Sequence, residues 1–445
     1  MKAADKENSS MGRGGESRRE DGPLEVYLKG KVVDVTKFAR THPGGAKVFR
    51  IFQNRDATEQ FEMCAVPGPA LPSARPCQVH VGETLTASRA ICRYHSPVAH
   101  KKLDLMMKGA RDAPKEAGVH TTPMGLDFQK LTKTLHAKGY FAPDYADEVF
   151  KLALTLLPGF LGARLFSAGT QCLGSFLIAF SFYLSGWTSH DYLHHGVFKG
   201  GHQKLVHFNN AIGYAIGTWQ GYSVGWWRAR HNTHHVCTNE IGNDPDIKTA
   251  PILVFVRNTR RIAEKLNAAQ RWQQYYYVPV MAILDVYWRL ESLAYLVMRP
   301  LAKTWLSWTL MGVHYATLYW VFQGQLGWIF FMSCCRGFMT GIVVFATHYG
   351  EDIIDSSHGM TLVEQTALTS RNITGGYLIN ILTGYISLQT EHHLWPMMPT
   401  AHLNKARPLC KAFFKKHGLK YRESNMLECV RFNIRALEFE HLLHA

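Results

Sequence analysis

The sequence predicts a multi-domain chain: a small α+β unit followed by an all-α integral membrane unit of about four crossings with a metal-binding cap. Three observations predict it. Residues 24–63 have a compact, mixed strand-and-helix pattern. From Glu148 onward, long apolar segments are joined by very short turns. Three histidine clusters, "HDYLHH" at 190–195, "RHNTHH" at 230–235 and "QTEHH" at 389–393, follow these segments in order. A length of 445 residues leads to an expectation of two or three domains. The net charge of +15 points to nucleic acid or an anionic membrane surface as neighbour. No zinc-finger spacing or leucine zipper is present, so a membrane is the reading and no nucleic-acid partner is expected. Nine cysteines without a CxxC pair imply neither a disulfide framework nor a zinc site.

Residues 1–23 are polar with no apolar core, unlike a secretory signal, and read as a disordered tail. The first unit is assigned to 24–108. "EVYLKGKVVDVTKF" alternates as a short strand pair does, "THPGG" makes a turn, and "AKVFRIF" and "DATEQFEM" read as short helices. Residues 64–93 break the pattern with four prolines and three cysteines. Tyr94–Lys108 reads as helix and 109–125 as a Gly/Pro-containing linker. The membrane unit is assigned to 126–445, with crossings at 149–166, 168–188, 303–322 and 326–347. The second is uncharged from Leu165 to Ser189, enough to span a bilayer core. The first contains Pro158 and Arg164, and the fourth contains Arg336.

The turns "FSAGTQ" and "FQGQ" are too short for any domain, so the crossings form two helical hairpins. The stretch 190–301 carries twelve Lys and Arg, which favours a cytosolic placement. Two hairpins return the chain to its starting side. The first unit, the three clusters and the C-terminal tail then share one face, where His190 and His348 ("FATHYGED") sit just past crossings. Histidines at helix spacing can each place two imidazoles on one side. A single zinc needs three or four ligands. Eight or nine converging histidines imply two metals, and imidazole suits iron. A shell of neutral nitrogens around two irons suits oxygen activation against an unreactive C–H bond. Asn232 and Glu391 lie inside the clusters, suited either to orient imidazoles or to cap helices. Asp244 and Asp246 in "GNDPDIKTAP" are either metal-linked or turn formers, with the turn preferred, and the Trp and Tyr residues around the last two crossings either line an acyl tunnel or serve as interfacial anchors, with the anchors preferred.

"HDYLHH", "HNTHH" and "QTEHH" resemble the three histidine boxes of membrane fatty-acyl desaturases, in order, interval and placement relative to the hairpins. Gln389, opening the third box, resembles the front-end desaturases, which insert a cis double bond on the carboxyl side of an existing one. The resemblance runs from about Gly125 to the C-terminus. It implies a cytosolic di-iron site with His190, His194, His231, His234, His235, His392 and His393 as the catalytic set. His348 joins them as a ligand. His195 is added to the ligand set, although related first boxes place only the outer pair reliably. Gln389 stands where other desaturases carry a further histidine and would ligate weakly or through water.

"HPGG" at 42–45 after "VVDVTKF", followed by "DATEQF", resembles a cytochrome b5 domain. The resemblance implies haem b, with His42 as axial ligand and Pro43, Gly44 and Gly45 in the turn that admits the haem. Two imidazoles on haem iron suit electron transfer. The second ligand is assigned to His95 in "YHSPVAHKKL", 53 residues after His42, with His80 and His100 as rivals. Removing 64–93 would shorten that separation to 23 and restore an uninterrupted pattern. The segment is therefore either an inserted surface loop or a retained intron. The resemblance implies electrons from NADH through a cytochrome b5 reductase, dioxygen as co-substrate, and an acyl-CoA or phospholipid-bound substrate. It also implies a multi-pass protein of the endoplasmic reticulum membrane with both sites facing the cytosol. Δ5, Δ6 and Δ8 enzymes share these boxes, and the likeness around "HDYLHHGVF" and "HHLWPMMPT" leans to Δ5 or Δ6. The rivals are a sphingolipid long-chain-base desaturase or hydroxylase with the same machinery, and a haem electron carrier without di-iron chemistry. A transporter is disfavoured because the histidines sit at the ends of the spans.

Overall fold

A computed structural model of the chain describes residues 23–39, 46–63, 103–114, 122–198, 203–249, 252–255, 268–357 and 359–438. The first unit opens with β1 (Glu25–Leu28) and β2 (Lys31–Asp34), an antiparallel pair. Lys29 and Gly30 both have positive φ, 52° and 74°, the two-residue turn whose twist matches a hairpin. Helices α1 (Thr36–Ala39), α2 (Ala46–Ile51) and α3 (Thr58–Met63) follow. Val26, Leu28, Val33, Ile51 and Phe52 form their core, and Cys237 of the membrane unit packs into it. Arg55 pairs with the buried Glu240 at 3.3 Å, and Glu59 accepts from the Leu362 amide at 2.6 Å. His42, Pro43, Gly44, Gly45, His95 and the segment 64–93 lie outside the described residues.

Helix α4 (Pro123–Ala137) takes in the last three residues of the expected linker, with proline at its first position and Thr122 capping the Gly125 amide. Two long helices follow, α5 (Tyr145–Ser167) and α6 (Gln171–Leu193), joined by a tight turn. They approach closely at glycines: a Cβ on Gly162 would stand 2.6 Å from the Gly174 carbonyl oxygen. Then come α7 (Gln203–Gln220), α8 (Val224–Val236), α9 (Gln273–Val280) and α10 (Leu284–Val297). The second hairpin is α11 (Leu301–Val321) and α12 (Leu326–Ala346).

Among the described residues, α5, α6 and α12 are long and apolar enough to cross a membrane. The segment expected as the third crossing is α11. Its 21 residues suit a span, but its Trp, Tyr, Thr and His side chains make it less apolar than the other three. Trp305, Tyr319 and Trp320 point outward, as interfacial anchors do. Arg336, in the middle of α12, is 2% exposed. It pairs with Asp285 of α10 at 2.8 Å and donates to the Gln220 carbonyl at 2.9 Å. Asp285 also takes Arg289 at 2.8 Å and the Tyr222 hydroxyl.

The chain closes with α13 (Leu362–Thr369), β3 (Asn372–Thr374), α14 (Gly376–Leu382), α15 (Gln389–Leu394), α16 (Thr400–Lys416), β4 (Glu423–Asn425) and α17 (Met426–Ala436). β3 and β4 pair in parallel and tie the tail to the segment before α15. Phe128 and Leu135 of α4 pack with Trp395, Leu403 and Phe414, forming a lid of helices over the histidine-bearing end.

Candidate metal centre

Four elements deliver the imidazoles to one place. His190 lies on the last turn of α6 and His194 directly after it. His231, His234 and His235 occupy one side of α8, and Gln389, His392 and His393 repeat the same i, i+3, i+4 spacing on α15. His348 follows α12. The histidines separate into two groups that can each hold a metal ion: His190, His194, His231, His235 and His392 in one, and His234, His348 and His393 in the other. Within each group the ligand atoms lie within 4.8 Å of one another.

The first group fits a metal by its distances. Nε2 of His231 stands 2.9 Å from Nε2 of His194 and 3.0 Å from Nε2 of His235, which in turn stands 3.0 Å from Nε2 of His392. Each Nε2 carries at most one proton, and a linear hydrogen bond cannot serve two such neighbours at once. With imidazole–metal bonds of about 2.1 Å, ligands at right angles stand about 3 Å apart. In the second group the hydrogen bonds fix the tautomers. His348 Nδ1 donates to the Thr369 carbonyl at 2.8 Å, leaving Nε2 as a lone pair. His234 Nδ1 lies 3.0 Å from Asp244, and His393 Nδ1 lies 3.2 Å from the Thr238 hydroxyl. The Gln389 amide nitrogen reaches Nε2 of His348 at 2.7 Å and Nε2 of His393 at 2.9 Å, while its Oε1 is buried without a hydrogen-bond partner. Turned by half a rotation, that amide presents Oε1, a ligand atom, to the same point.

Protonation follows from the surroundings. Burial, then the neighbouring imidazoles, hold His194, His231, His235, His392 and His393 well below the ordinary histidine range. Burial also pushes His348 down to about 3. These rings stay neutral, the form that binds metal. Burial acts to lower His234 too, but Asp244 and Asp246 outweigh it and raise it to about 9.

Asp244 combines the two roles weighed for this segment, turn former and metal-linked carboxylate. Asp244 does close the turn, accepting from the amides of Asn239 and Asp246 at 2.7 and 2.9 Å. Its carboxylate also faces His234 Nδ1, the carboxylate–histidine arrangement that aims Nε2 at a metal. Asp246 is held by Arg230 at 2.9 Å. We expect Asp244→Asn to weaken metal affinity about ten- to a hundredfold, read by chelator competition; unchanged affinity would show that the contact is only structural.

His195 is placed elsewhere. Its backbone is left-handed, φ 56°, which turns the ring out of the helical file and toward Asn210 at 3.0 Å from Nε2. Glu391 is buried and accepts from Tyr421 at 2.5 Å and Asn372 at 2.7 Å, so it anchors α15 to the C-terminal strand pair. Asn232 is half-buried on α8 and belongs to neither group. The sequence reading missed Asp191, which accepts from Lys151 at 3.0 Å and Thr400 at 2.7 Å and lies 3.4 Å from His190 Nδ1. Its position directly after a box histidine was the available signal.

A cavity of about 80 Å³ runs from the imidazoles into the membrane-spanning helices. Tyr183, Gly186, Trp187 and His190 line it from α6, and Arg336, Thr340 and Val344 from α12, with Thr347 directly after it. Both series follow one helix face. The cavity-lining aromatics are thus Tyr183, Trp187, Tyr222, Trp227 and Trp288, none of them on the last two crossings.

Two groups of largely buried imidazoles at the head of a membrane-embedded cavity define an integral membrane protein of the dinuclear, histidine-ligated metal class. Residues 169–425 match the fatty acid desaturase family, and residues 16–111 match the cytochrome b5-like heme/steroid binding domain. The chain belongs to the fatty acid desaturase family, with a cytochrome b5-like domain fused at its N-terminal side; it is an oxidoreductase acting on fatty-acyl lipid with haem and a di-iron centre as cofactors. It is 53% identical over 458 residues to the acyl-lipid 8-desaturase of Rebecca salina, covering 97% of this chain and all of that protein. It is 29% identical to the Delta(8)-fatty-acid desaturase of Euglena gracilis over 89% of this chain and 90% of that protein. It is 26% identical to the Delta(5) fatty acid desaturase fat-4 of Caenorhabditis elegans over 91% and 92%.

Proposed function

We propose that the chain is a front-end acyl-lipid desaturase that introduces a cis double bond at carbon 8 of a polyunsaturated acyl chain. The observation that carries the reaction is the pair of imidazole groups opening onto a membrane-embedded cavity. The position rests on the relative at 53% identity, an 8-desaturase, rather than on the lean to Δ5 or Δ6. At 26–29% identity the relatives carry several positions in their names, so likeness at that level does not discriminate. His190, His194, His231, His235 and His392 would hold one iron; His234, His348 and His393, with Gln389, would hold the other. When bound, the irons supply activation of dioxygen, which is reduced to two waters while two electrons and two protons arrive and two vicinal hydrogens leave the chain.

The protein's own part is positional. Trp187, Tyr183 and Thr340 hold one CH2–CH2 unit below the imidazoles, and such orientation supplies regioselectivity. Asp244 and Asp191 orient their histidines. His42 and His95, with Pro43, Gly44 and Gly45 in the turn beside His42, would hold the haem, which would supply electrons drawn from NADH through a reductase. The cytochrome b5-like domain occupies 24–108, the linker 109–125 and the desaturase domain 126–445, in the endoplasmic reticulum membrane with the metal sites cytosolic. Yeast expressing the gene and fed 18:2, 20:2 and 20:3 acids should convert the 20-carbon acids to products with a new double bond at carbon 8. Gas chromatography of the lipids reads this, and products unsaturated at carbon 5 or 6 alone would overturn the assignment.

A further inference from the structure

A second cleft shares a wall with the metal cavity. It is lined by Phe150 and Leu154 of α5, Leu184 and Thr188 of α6, Ile381 of α14 and Tyr385 in the turn after it. Trp187 lines both spaces. On either side of it the α6 face divides: Leu184, Thr188 and Asp191 face the cleft, while Tyr183, Gly186 and His190 face the metal cavity. The indole is therefore the partition between them.

The cleft opens toward lipid. Helices α5 and α6 are antiparallel, so α5 begins on the side where His190 sits. Phe150 and Leu154 lie five and nine residues into α5, about 8–14 Å from that end by the helical rise. In a hydrocarbon core about 30 Å thick, this is the level of the first part of the acyl chains. Val149 and Phe150 are 67% and 48% exposed on α5, and Tyr377 and Leu378 are 68% and 65% exposed on α14. Apolar side chains thus flank the mouth on two elements.

The wall opposite is unusual backbone. Gly384 and Tyr385 are consecutive left-handed residues, φ 58° and 64°, and a Cβ on Gly384 would overlap Trp187. A non-glycine residue in that region is a strained conformation of the kind found at ligand clamps. The main chain is pressed against the partition where a side chain would block it. The upper rim is Lys151, bonded to Asp191 at 3.0 Å; Asp191 lies 3.4 Å from His190. The mouth and the metal groups are two contacts apart.

We propose that this cleft is the port through which the acyl chain of a membrane glycerolipid, still esterified, passes from the bilayer past Trp187 into the metal cavity. The chain enters methyl end first and the ester stays at the rim beside Lys151. Only a short run of methylenes then separates ester and metal, which sets the reaction near the carboxyl end. The inference rests on the acyl-lipid desaturase reading and deepens it by naming the place where the lipid's acyl chain enters.

The test uses the full-length, iron-loaded and haem-loaded protein in proteoliposomes containing phosphatidylcholine with a 20-carbon acyl chain bearing a diazirine close to the ester. After photolysis, label is expected in peptides covering 149–155 or 381–385. Leu154→Trp, which fills the cleft, should lower both labelling and turnover of phosphatidylcholine-bound 20:2 by about tenfold, with iron and haem content unchanged. Label confined to peptides of the metal cavity, or wild-type labelling and turnover in Leu154→Trp, would overturn the port. Labelling of the unaltered protein decides the matter if that variant does not fold. The product of the unaltered protein, read by gas chromatography, tests the carbon-8 assignment separately. A carbon-8 product without cleft labelling sinks only the port, and cleft labelling with another product sinks only the position.

Discussion

Replacing His234 with alanine is expected to lower non-haem iron from two to about one per chain and to abolish desaturation, with haem absorbance retained. His234 belongs to the smaller group, where only His348 and His393 remain beside Gln389 once it is gone. Three or four ligands are the minimum for a stable site of this kind. The substitution also removes the partner of Asp244, a carboxylate with no exposure to solvent. His195→Ala is the informative contrast. It should keep both irons, because its ring is turned to Asn210 and belongs to neither group. Metal analysis of purified protein, haem spectra and lipid chromatography read the three quantities. Two irons per chain in His234→Ala would end the division into groups of five and three.

The second large effect is expected at Asp285. Its carboxylate is 2% exposed and binds Arg289 and Arg336, each at 2.8 Å, and Tyr222. Alanine there leaves two buried guanidinium groups without their shared anion. Breaking a buried pair in this way costs about 3–5 kcal/mol, against a total stability of about 5–15 kcal/mol for a domain. Asp285→Ala should therefore give little monodisperse protein and a sharply lower melting temperature in detergent. Asp285→Asn, which keeps the shape and part of the hydrogen bonding, should fall between. Size-exclusion profiles after graded heating measure this, and a melting temperature equal to the unaltered protein's would show the network to be dispensable.

The network also shows where sequence reasoning stops. Arg336 weakened the case for the fourth crossing when read alone, since an unpaired charge in a span is costly. Its partner lies 51 residues earlier, on α10, which lies outside the predicted crossings. Lys151 and Asp191 are 40 residues apart and meet only because α5 and α6 are antiparallel. The N-terminal unit was more legible. Its strands alternate, its turn carries Lys29-Gly30, and two of its short helices fall in the segments read as helix, all local signals. Its haem ligands, His42 and His95, lie outside the described residues.

By itself the sequence determined the histidine inventory, the i, i+3, i+4 faces of the second and third boxes, the hairpin turns and the order of the two units. These depend on backbone periods and on what sits a few residues away. Only the tertiary structure decided which imidazole joins which group. His234 and His235 are adjacent in the chain, yet adjacent residues on a helix point about 100° apart. His235 therefore meets His392 and His234 meets His348 and His393. It also decided that His195 turns away, that Asp244 reaches back to His234, and that Glu391 is anchored by Tyr421, 30 residues on. A periodic pattern specifies which face of its own helix a side chain occupies. Which other face it meets is set by helix packing and by β3–β4 pairing between segments far apart in the chain.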